Sequence, residues 1–182
     1  MISKKIGGDR MKRVTLVDVF KHRITQKYLQ RSGINHAVTV AGYAYDMAVE
    51  AGVDPDLATK SALLHDMGHY EWYRDGKWDY DEYRKHDIHA IKGAERAHKL
   101  LIRLGEDRLR AKEVSLAVLL HTDSYLPFGL DGKRTDLQEV VRKADEKDEQ
   151  PMGLHHYKEM DKSMAVQLLH ELDKKVEGEM VG

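Results

Sequence analysis

The sequence predicts an all-α helical bundle. Apolar residues recur at helical spacing along most of the chain, and no segment shows convincing strand alternation. The breaks between periodic segments carry helix starts and stops, among them Ser32-Gly33, Asp54-Pro55, Gly105 and Pro151 with Gly153. A length of 182 residues without an internal repeat fits one domain with a sizeable core.

In chain order, residues 1–14 read as an N-terminal extension. Gly7-Gly8-Asp9 can be encoded by a stretch resembling a bacterial ribosome-binding site just before Met11, so Met11 is a candidate native start; an ordinary frayed terminus is the alternative. A single domain is expected over 15–178. Its first helix covers 15–31 and ends at Ser32-Gly33. Asn35 is the expected cap of a helix from His36 to about Ala51, with Val38, Ala41, Tyr45 and Ala48 on one face. Asp54-Pro55 starts the next, a capping carboxylate followed by proline at the first helical position, and that helix runs to Met67. Residues 69–87 are polar, rich in aromatics and without period. Helices follow at about 88–104 and 106–122, then a loop from Tyr125 to Arg134 with Pro127, Gly129 and Gly132. A helix from about Asp136 carries Val140, Val141 and Ala144 into Asp145, and a last amphipathic helix spans roughly 155–177.

Composition removes several classes of function. Apolar residues at 41% and charged residues at 34% suit a soluble globular chain. A formal net charge of −1 gives no global attraction to nucleic acid, so none is expected as a partner. No apolar run approaches the roughly 20 residues that span a bilayer, and the N-terminus lacks the apolar stretch of a secretory signal. Without cysteine there are no disulfides and no thiolate ligands, which makes the cytoplasm the default location. Serine-hydrolase, P-loop and dinucleotide fingerprints are absent.

The chemistry concentrates in Ala62-Leu63-Leu64-His65-Asp66-Met67-Gly68-His69, an apolar helix that ends in an imidazole and a carboxylate. Neighbouring residues on a helix point about 100° apart, so His65 and Asp66 can grip a cation, or a pair, from two directions. His36, His89, His121 and Asp145 each lie at a start or end of another expected helix. Bundles build metal sites from such inward side chains.

This order of residues resembles the HD superfamily of metal-dependent phosphohydrolases. The family pattern of a histidine, a His-Asp pair after an apolar helix and a distal aspartate is matched by His36, His65-Asp66 and Asp145, over about residues 34–150. His89-Ala90-Ile91-Lys92-Gly93-Ala94-Glu95 and Val118-Leu119-Leu120-His121-Thr122 resemble the elements that supply a second metal in the dinuclear branch. That set also occurs in HD-type symmetrical diadenosine tetraphosphate hydrolases. It is shared with the cyclic-dinucleotide HD-GYP phosphodiesterases, whose Gly-Tyr-Pro segment and paired histidines are absent here. The resemblance implies an HD-domain bundle with a metal site in its core, holding two divalent transition-metal ions. Asp66 would bridge them, His36, His65 and Asp145 would complete one, and His89 and His121 would bind the other. Imidazoles and carboxylates suit Fe, Mn, Co, Ni or Zn better than Mg. Two such ions activate a water for attack on a phosphate ester or anhydride.

Around this set, His69 is read as a group that protonates a leaving oxygen or contacts phosphate, with a surface histidine at a helix end as the alternative. Lys92, Lys133 and Arg134 are candidate phosphate contacts, Lys92 first because it lies one turn from His89. Tyr70, Trp72, Tyr73, Trp78, Tyr80 and Tyr83 crowd the segment between two ligand-bearing helices, and either stack on a nucleobase or hold that segment in shape. Residues 69–85 are accordingly expected to lie over the site as a lid, with Trp72 and Trp78 as substrate contacts. His86 rivals His89 but lacks the Gly-Ala spacing, while Asp148, Glu149, His155 and His156 read as surface residues flanking a turn, the alternative being that the break at Pro151 folds the chain back and brings one of them to the site. The expected substrate is a small phosphorylated compound, a nucleotide or dinucleoside polyphosphate. Two other functions compete: an HD-type mixed-valent diiron oxygenase, which also carries His-Asp-x-Gly-His, and a non-catalytic metal- or nucleotide-binding module. The sequence sets no oligomeric state.

Overall fold

A computed structural model describes residues 12–70, 73–74, 77–150 and 158–181. Its helices are α1 (Leu16–Lys21), α2 (Arg23–Ser32), α3 (Ile34–Ala51), α4 (Pro55–Leu64), α5 (Tyr80–His86), α6 (His89–Leu104), α7 (Arg108–Leu120), α8 (Asp136–Lys147) and α9 (Lys162–Val181). Two-residue strands β1 (Tyr73–Arg74) and β2 (Lys77–Trp78) pair antiparallel between α4 and α5, with Tyr73 opposite Trp78. No helix among the described residues is long and apolar enough to cross a membrane.

The expected first helix is two. At His22 the backbone turns extended (φ −66°, ψ 133°), and the imidazole Nδ1 accepts the Ile24 N–H to start α2. Histidine in that capping role has no strong sequence signature, which is why periodicity alone ran the two helices together. α3 starts two residues before His36, after Gly33 at φ 99°, and Asn35 lies inside it instead of capping it. Asp54 caps α4 as expected, accepting from the Asp56 and Leu57 N–H groups ahead of Pro55. The last helix starts at Lys162, later than the sequence indicates.

α3 and α4 pack along each other, α6 pairs with α7, and α8 closes against α3, α4 and α7. Leu63, Leu64, Met67, Val40, Val114, Val118 and Val141 are buried where these helices meet. Each such side chain gains about 1.5–3 kcal/mol on leaving water, before the cost of ordering it.

One end of the bundle is held by charge. Lys60 is wholly buried in α4, with its ammonium 2.6 Å from Asp56 Oδ2 and 2.5 Å from Glu106 Oε2. Asp56, also wholly buried, accepts from Arg13 and Arg110 at 2.6 Å each. Asp173 of α9 accepts the Leu16 and Val17 N–H groups and so caps α1 from across the molecule.

At the other end two glycines permit contact between backbones. A Cβ built on Gly68 would lie 1.7 Å from the His89 carbonyl oxygen and 2.5 Å from Gly93 N. A Cβ on Gly93 would stand 3.2 Å from the His65 carbonyl oxygen. The turn after α4 therefore rests directly on α6, which sets His65 and Asp66 beside His89. Gly68→Ala is expected to part these segments, cost about 3 kcal/mol of stability as an overpacked contact, and lower metal affinity. Thermal melting with and without metal checks both effects.

Candidate metal centre

Six side chains from five helices converge at this end. His36 comes from the first turn of α3, His65 and Asp66 from the turn ending α4, His89 from the start of α6, His121 from the end of α7 and Asp145 from α8. All are buried except Asp145, which is partly open.

The histidines are presented in a common way. His65 Nδ1 lies 2.6 Å from the Ala62 carbonyl and His121 Nδ1 2.6 Å from that of Val118, each one turn back on its own helix. A carbonyl only accepts, so these Nδ1 atoms carry a proton and Nε2 is the nitrogen each ring turns toward a ligand. His36 Nδ1 donates to Asp148 at 2.8 Å, and His89 Nδ1 to Asp87 at 2.7 Å. Four Nε2 atoms thereby point inward as ligands, held as metal-binding histidines are held.

His36 Nε2, His65 Nε2 and Asp145 Oδ1 lie 3.1–3.2 Å from one another, and Asp66 Oδ2 lies 3.3 and 3.5 Å from the two nitrogens. Ligands about 2.0–2.2 Å from a transition metal stand roughly 3.0–3.5 Å apart around it. The other carboxylate oxygen, Asp66 Oδ1, faces His69 Nε2 at 3.0 Å, His89 Nε2 at 3.7 Å and His121 Nε2 at 3.9 Å, with His89 and His121 Nε2 3.2 Å apart. This donor set, nitrogen lone pairs facing each other across ionised carboxylates, fits a divalent transition metal.

The local field agrees. Burial works against protonating His65, yet Asp66 and Asp145 outweigh it and raise its pKa well above the ordinary value. Burial likewise opposes protonation of His36, and Asp145 and Asp66 reverse it. Burial would raise Asp145, but the facing His65 and His36 hold it far below the usual carboxylate range. His121, buried and beside His65 and His89, is pushed down to about 3. Positive charge is favoured on the His36–His65 side, and His121 is kept as a neutral ligand.

His69 is engaged at both nitrogens: Nε2–H donates to Asp66 Oδ1, and Nδ1 accepts from the Tyr83 hydroxyl. Its ring stacks on His89 with centroids 4.2 Å apart, and burial lowers its pKa. These contacts tie His69 to Asp66, and its side chain also lines the cavity over the cluster.

The cavity over the cluster has a volume of about 350 Å³ and is lined further by Tyr80, Tyr83, Arg84, Ser124, Glu149 and Gln150. Among the described residues that line it, only Arg84 carries a permanent positive charge. Lys92, Lys133 and Arg134 are not among the described residues that line it. Lys92 lies over the Tyr70 ring and Lys133 over that of Phe128, at 5.0 and 5.5 Å. Arg134 is buried and donates to the Leu120 carbonyl at 2.6 Å, so it fixes the end of α7 that bears His121. Trp72 lies outside the described residues, as do His155 and His156; Trp78 is placed only as a β2 residue. The segment after His69 is more ordered than a loop, since it contains the hairpin and α5, and α5 contributes Tyr80, Tyr83 and Arg84 to the cavity.

Sequence reasoning missed Asp87 and Asp148, the carboxylates behind His89 and His36. Asp87 had a local signal two residues before His89. Asp148 sits at the C-terminal cap of α8, one turn beyond Asp145, and was read as surface. His86 has an exposed side chain near Glu82 and does not line the cavity.

The HD domain family matches residues 33–175. A Bacillus subtilis (strain 168) protein named "Putative phosphohydrolase YueE" is 62% identical over 167 residues, covering 92% of this chain and 94% of that one. The crystal structure of a "predicted HD superfamily hydrolase" from an uncultured Thermotogales bacterium has a TM-score of 0.51 at 21% identity, over 91% of this chain and 88% of that chain, a likeness of fold alone.

Proposed function

The chain belongs to the HD domain family, and from that premise we propose that it is a metal-dependent phosphohydrolase with a dinuclear site acting on a nucleotide-sized phosphorylated compound. The observation that carries the dinuclear reading is the division of Asp66: Oδ2 faces His36 and His65, and Oδ1 faces His89 and His121. His36, His65 and Asp145 would hold one ion and His89 and His121 the other, with the Asp66 carboxylate between them. Ions held there would lower the pKa of a bound water toward neutrality and draw the phosphate oxygens into line for attack.

The chain's own groups do the rest. His69 and Tyr83 hold the Asp66 carboxylate in orientation, and Asp148 and Asp87 hold the His36 and His89 rings. Arg84 stands where a phosphate oxygen remote from the cluster would arrive, offering a charge-assisted fork. Tyr80 gives the mouth an aromatic face. A cavity of about 350 Å³ lies at the small end of the ligand-pocket range of about 300–1,000 Å³, which favours a mononucleotide over a dinucleoside polyphosphate.

A screen of metal-reconstituted protein under nitrogen, across mononucleotides, dinucleoside polyphosphates and sugar phosphates, is expected to release phosphate fastest from a mononucleotide. Turnover that requires oxygen, with an organophosphonate or polyol consumed, would replace this reading with the diiron oxygenase. Elemental analysis of reconstituted protein is expected to find about two transition-metal ions per chain, the number a bridged dinuclear site takes; one or fewer would remove the roles of His89 and His121. Arg84→Gln is expected to raise KM about 10-fold, the worth of one hydrogen bond to a charged group at about 1.5 kcal/mol, and to leave metal content unchanged. Steady-state kinetics with the screened substrate measures it.

A further inference from the structure

Outside the metal centre the described residues form several smaller cavities, and one of them is basic. Arg23, Lys27 and Tyr28 of α2 face Arg96, Lys99 and Arg103 of α6 across a cavity of about 230 Å³. Among the described residues, five cations and no carboxylate line it, on a chain whose formal net charge is −1. α2 contains no acidic residue. The nearest neutralising pair is Lys99 with Glu95 at 2.6 Å, both exposed. Arg23, Lys27 and Arg103 make no ion pair among the described residues, so their charges repel one another at a cost that an anion would relieve.

The walls are organised around one arginine. The Arg96 guanidinium lies over the Tyr28 ring at 3.8 Å and donates through Nη1 to the Met67 carbonyl at 2.6 Å. Stacked and tethered, it is half-buried and pre-oriented, and its remaining N–H groups have no partner among the described residues. Met67 directly follows Asp66 in the turn that rests on α6. One side chain thus joins the basic cavity to the segment that places the metal-facing carboxylate.

We propose that the cavity between α2 and α6 is a second anion site that takes a short phosphate chain, and that Arg96 couples its occupancy to the His65–Asp66 turn. A di- or triphosphate matches the chemistry: closely spaced oxyanions, each able to take a bidentate arginine or a lysine point charge. The confined volume favours such a chain over the extended track that a nucleic-acid backbone needs.

The test uses the full-length protein and inorganic tripolyphosphate, followed by calorimetry. Wild type is compared with a Lys27→Glu, Arg103→Glu double variant, both positions being exposed, and with His65→Ala, which disables the metal centre. The groove predicts that the double variant binds at least 10-fold more weakly while His65→Ala binds as wild type does. Loss in His65→Ala with retention in the double variant would place binding at the metal centre and overturn the site. If His65→Ala fails to fold, equal affinity of wild type and the double variant overturns it alone. Stronger binding of a single-stranded oligonucleotide than of tripolyphosphate, lost in the double variant, would replace the ligand with nucleic acid. The same tripolyphosphate with an adenosine attached separates a free phosphate chain from a nucleotide as its source.

The coupling rests on the phosphohydrolase reading; the binding does not. Tripolyphosphate is expected to change kcat/KM for a small phosphate ester at least 3-fold in wild type beyond its effect on the double variant, a comparison that removes metal chelation common to both. Equal effects would overturn the coupling and leave the binding result to stand or fall by calorimetry.

Discussion

Asp66→Ala is expected to lower phosphate release by at least about 10³-fold, which is about 4 kcal/mol of barrier, while the protein still melts cooperatively. Asp66 turns one carboxylate oxygen to each of the two histidine groups. Without it, two ions would lose their shared counter-charge and repel each other at close range. The fold does not depend on that carboxylate: α4 is held by Leu63, Leu64 and Met67 in the core and by Gly68 against α6. Asp66→Asn keeps the shape and the contact with His69 but removes the charge, so it should resemble alanine in rate and wild type in melting temperature. Near-normal turnover by either variant would end the metal mechanism.

The second large effect is on stability and lies at the opposite end of the bundle. Asp56→Ala is expected to cost about 3–5 kcal/mol, the usual result of removing one partner of a buried ion pair, and to lower Tm by roughly 6–20 °C. It would leave Lys60 buried with Glu106 alone and strip Arg13 and Arg110 of their common acceptor. Lys60→Met should cost far less, because Asp56 would keep two arginines and methionine fills similar volume. Burial alone would raise the Asp56 carboxyl, but Lys60, Arg110 and Arg13 outweigh it and hold its pKa below the ordinary value. A lowered native pKa means the unfolded chain takes up the proton first. The contribution is therefore full above about pH 4, the unfolded value, and is lost as pH falls through the native one. Urea melts at pH 7 and below pH 4 would show the wild-type advantage over Asp56→Ala shrinking; a constant difference would remove the electrostatic account.

The two ends differ in how far they could be read from the sequence. His65 and His121 were legible because an apolar run ends in each, Leu63-Leu64-His65 and Leu119-Leu120-His121, and His36, His89 and Asp145 were legible from the order and spacing of the family pattern they resemble. The helices themselves were legible from period and caps. Their partners were not: Asp148 reaches His36 across 112 residues, a pairing that exists only after α8 packs on α3. Lys60 was hidden for the same reason. Lysine within a helix reads as a solvated face: Asp56 stands one turn before it on α4 itself, but only the packing of the α6–α7 connection brings it Glu106, and only Arg13 and Arg110 arriving at Asp56 complete the buried cluster. The break at His22 and the helix α5 were missed because their signals are local and weak. Lys92, Lys133 and Arg134 are not among the described residues that line the cavity; charge alone does not tell which lysine or arginine turns toward it.

The direct seat of the Gly68 turn on α6 has a consequence for remodelling the protein. With backbone against backbone there is no side chain to trim, so that half of the centre tolerates almost no variation in sequence. The rim contributed by α5 and by Ser124, Glu149 and Gln150 is under no such constraint. A mutant library that seeks new substrates should therefore leave Gly68 and Gly93 fixed and randomise Tyr80, Arg84, Ser124, Glu149 and Gln150, an unyielding chassis with an exchangeable mouth.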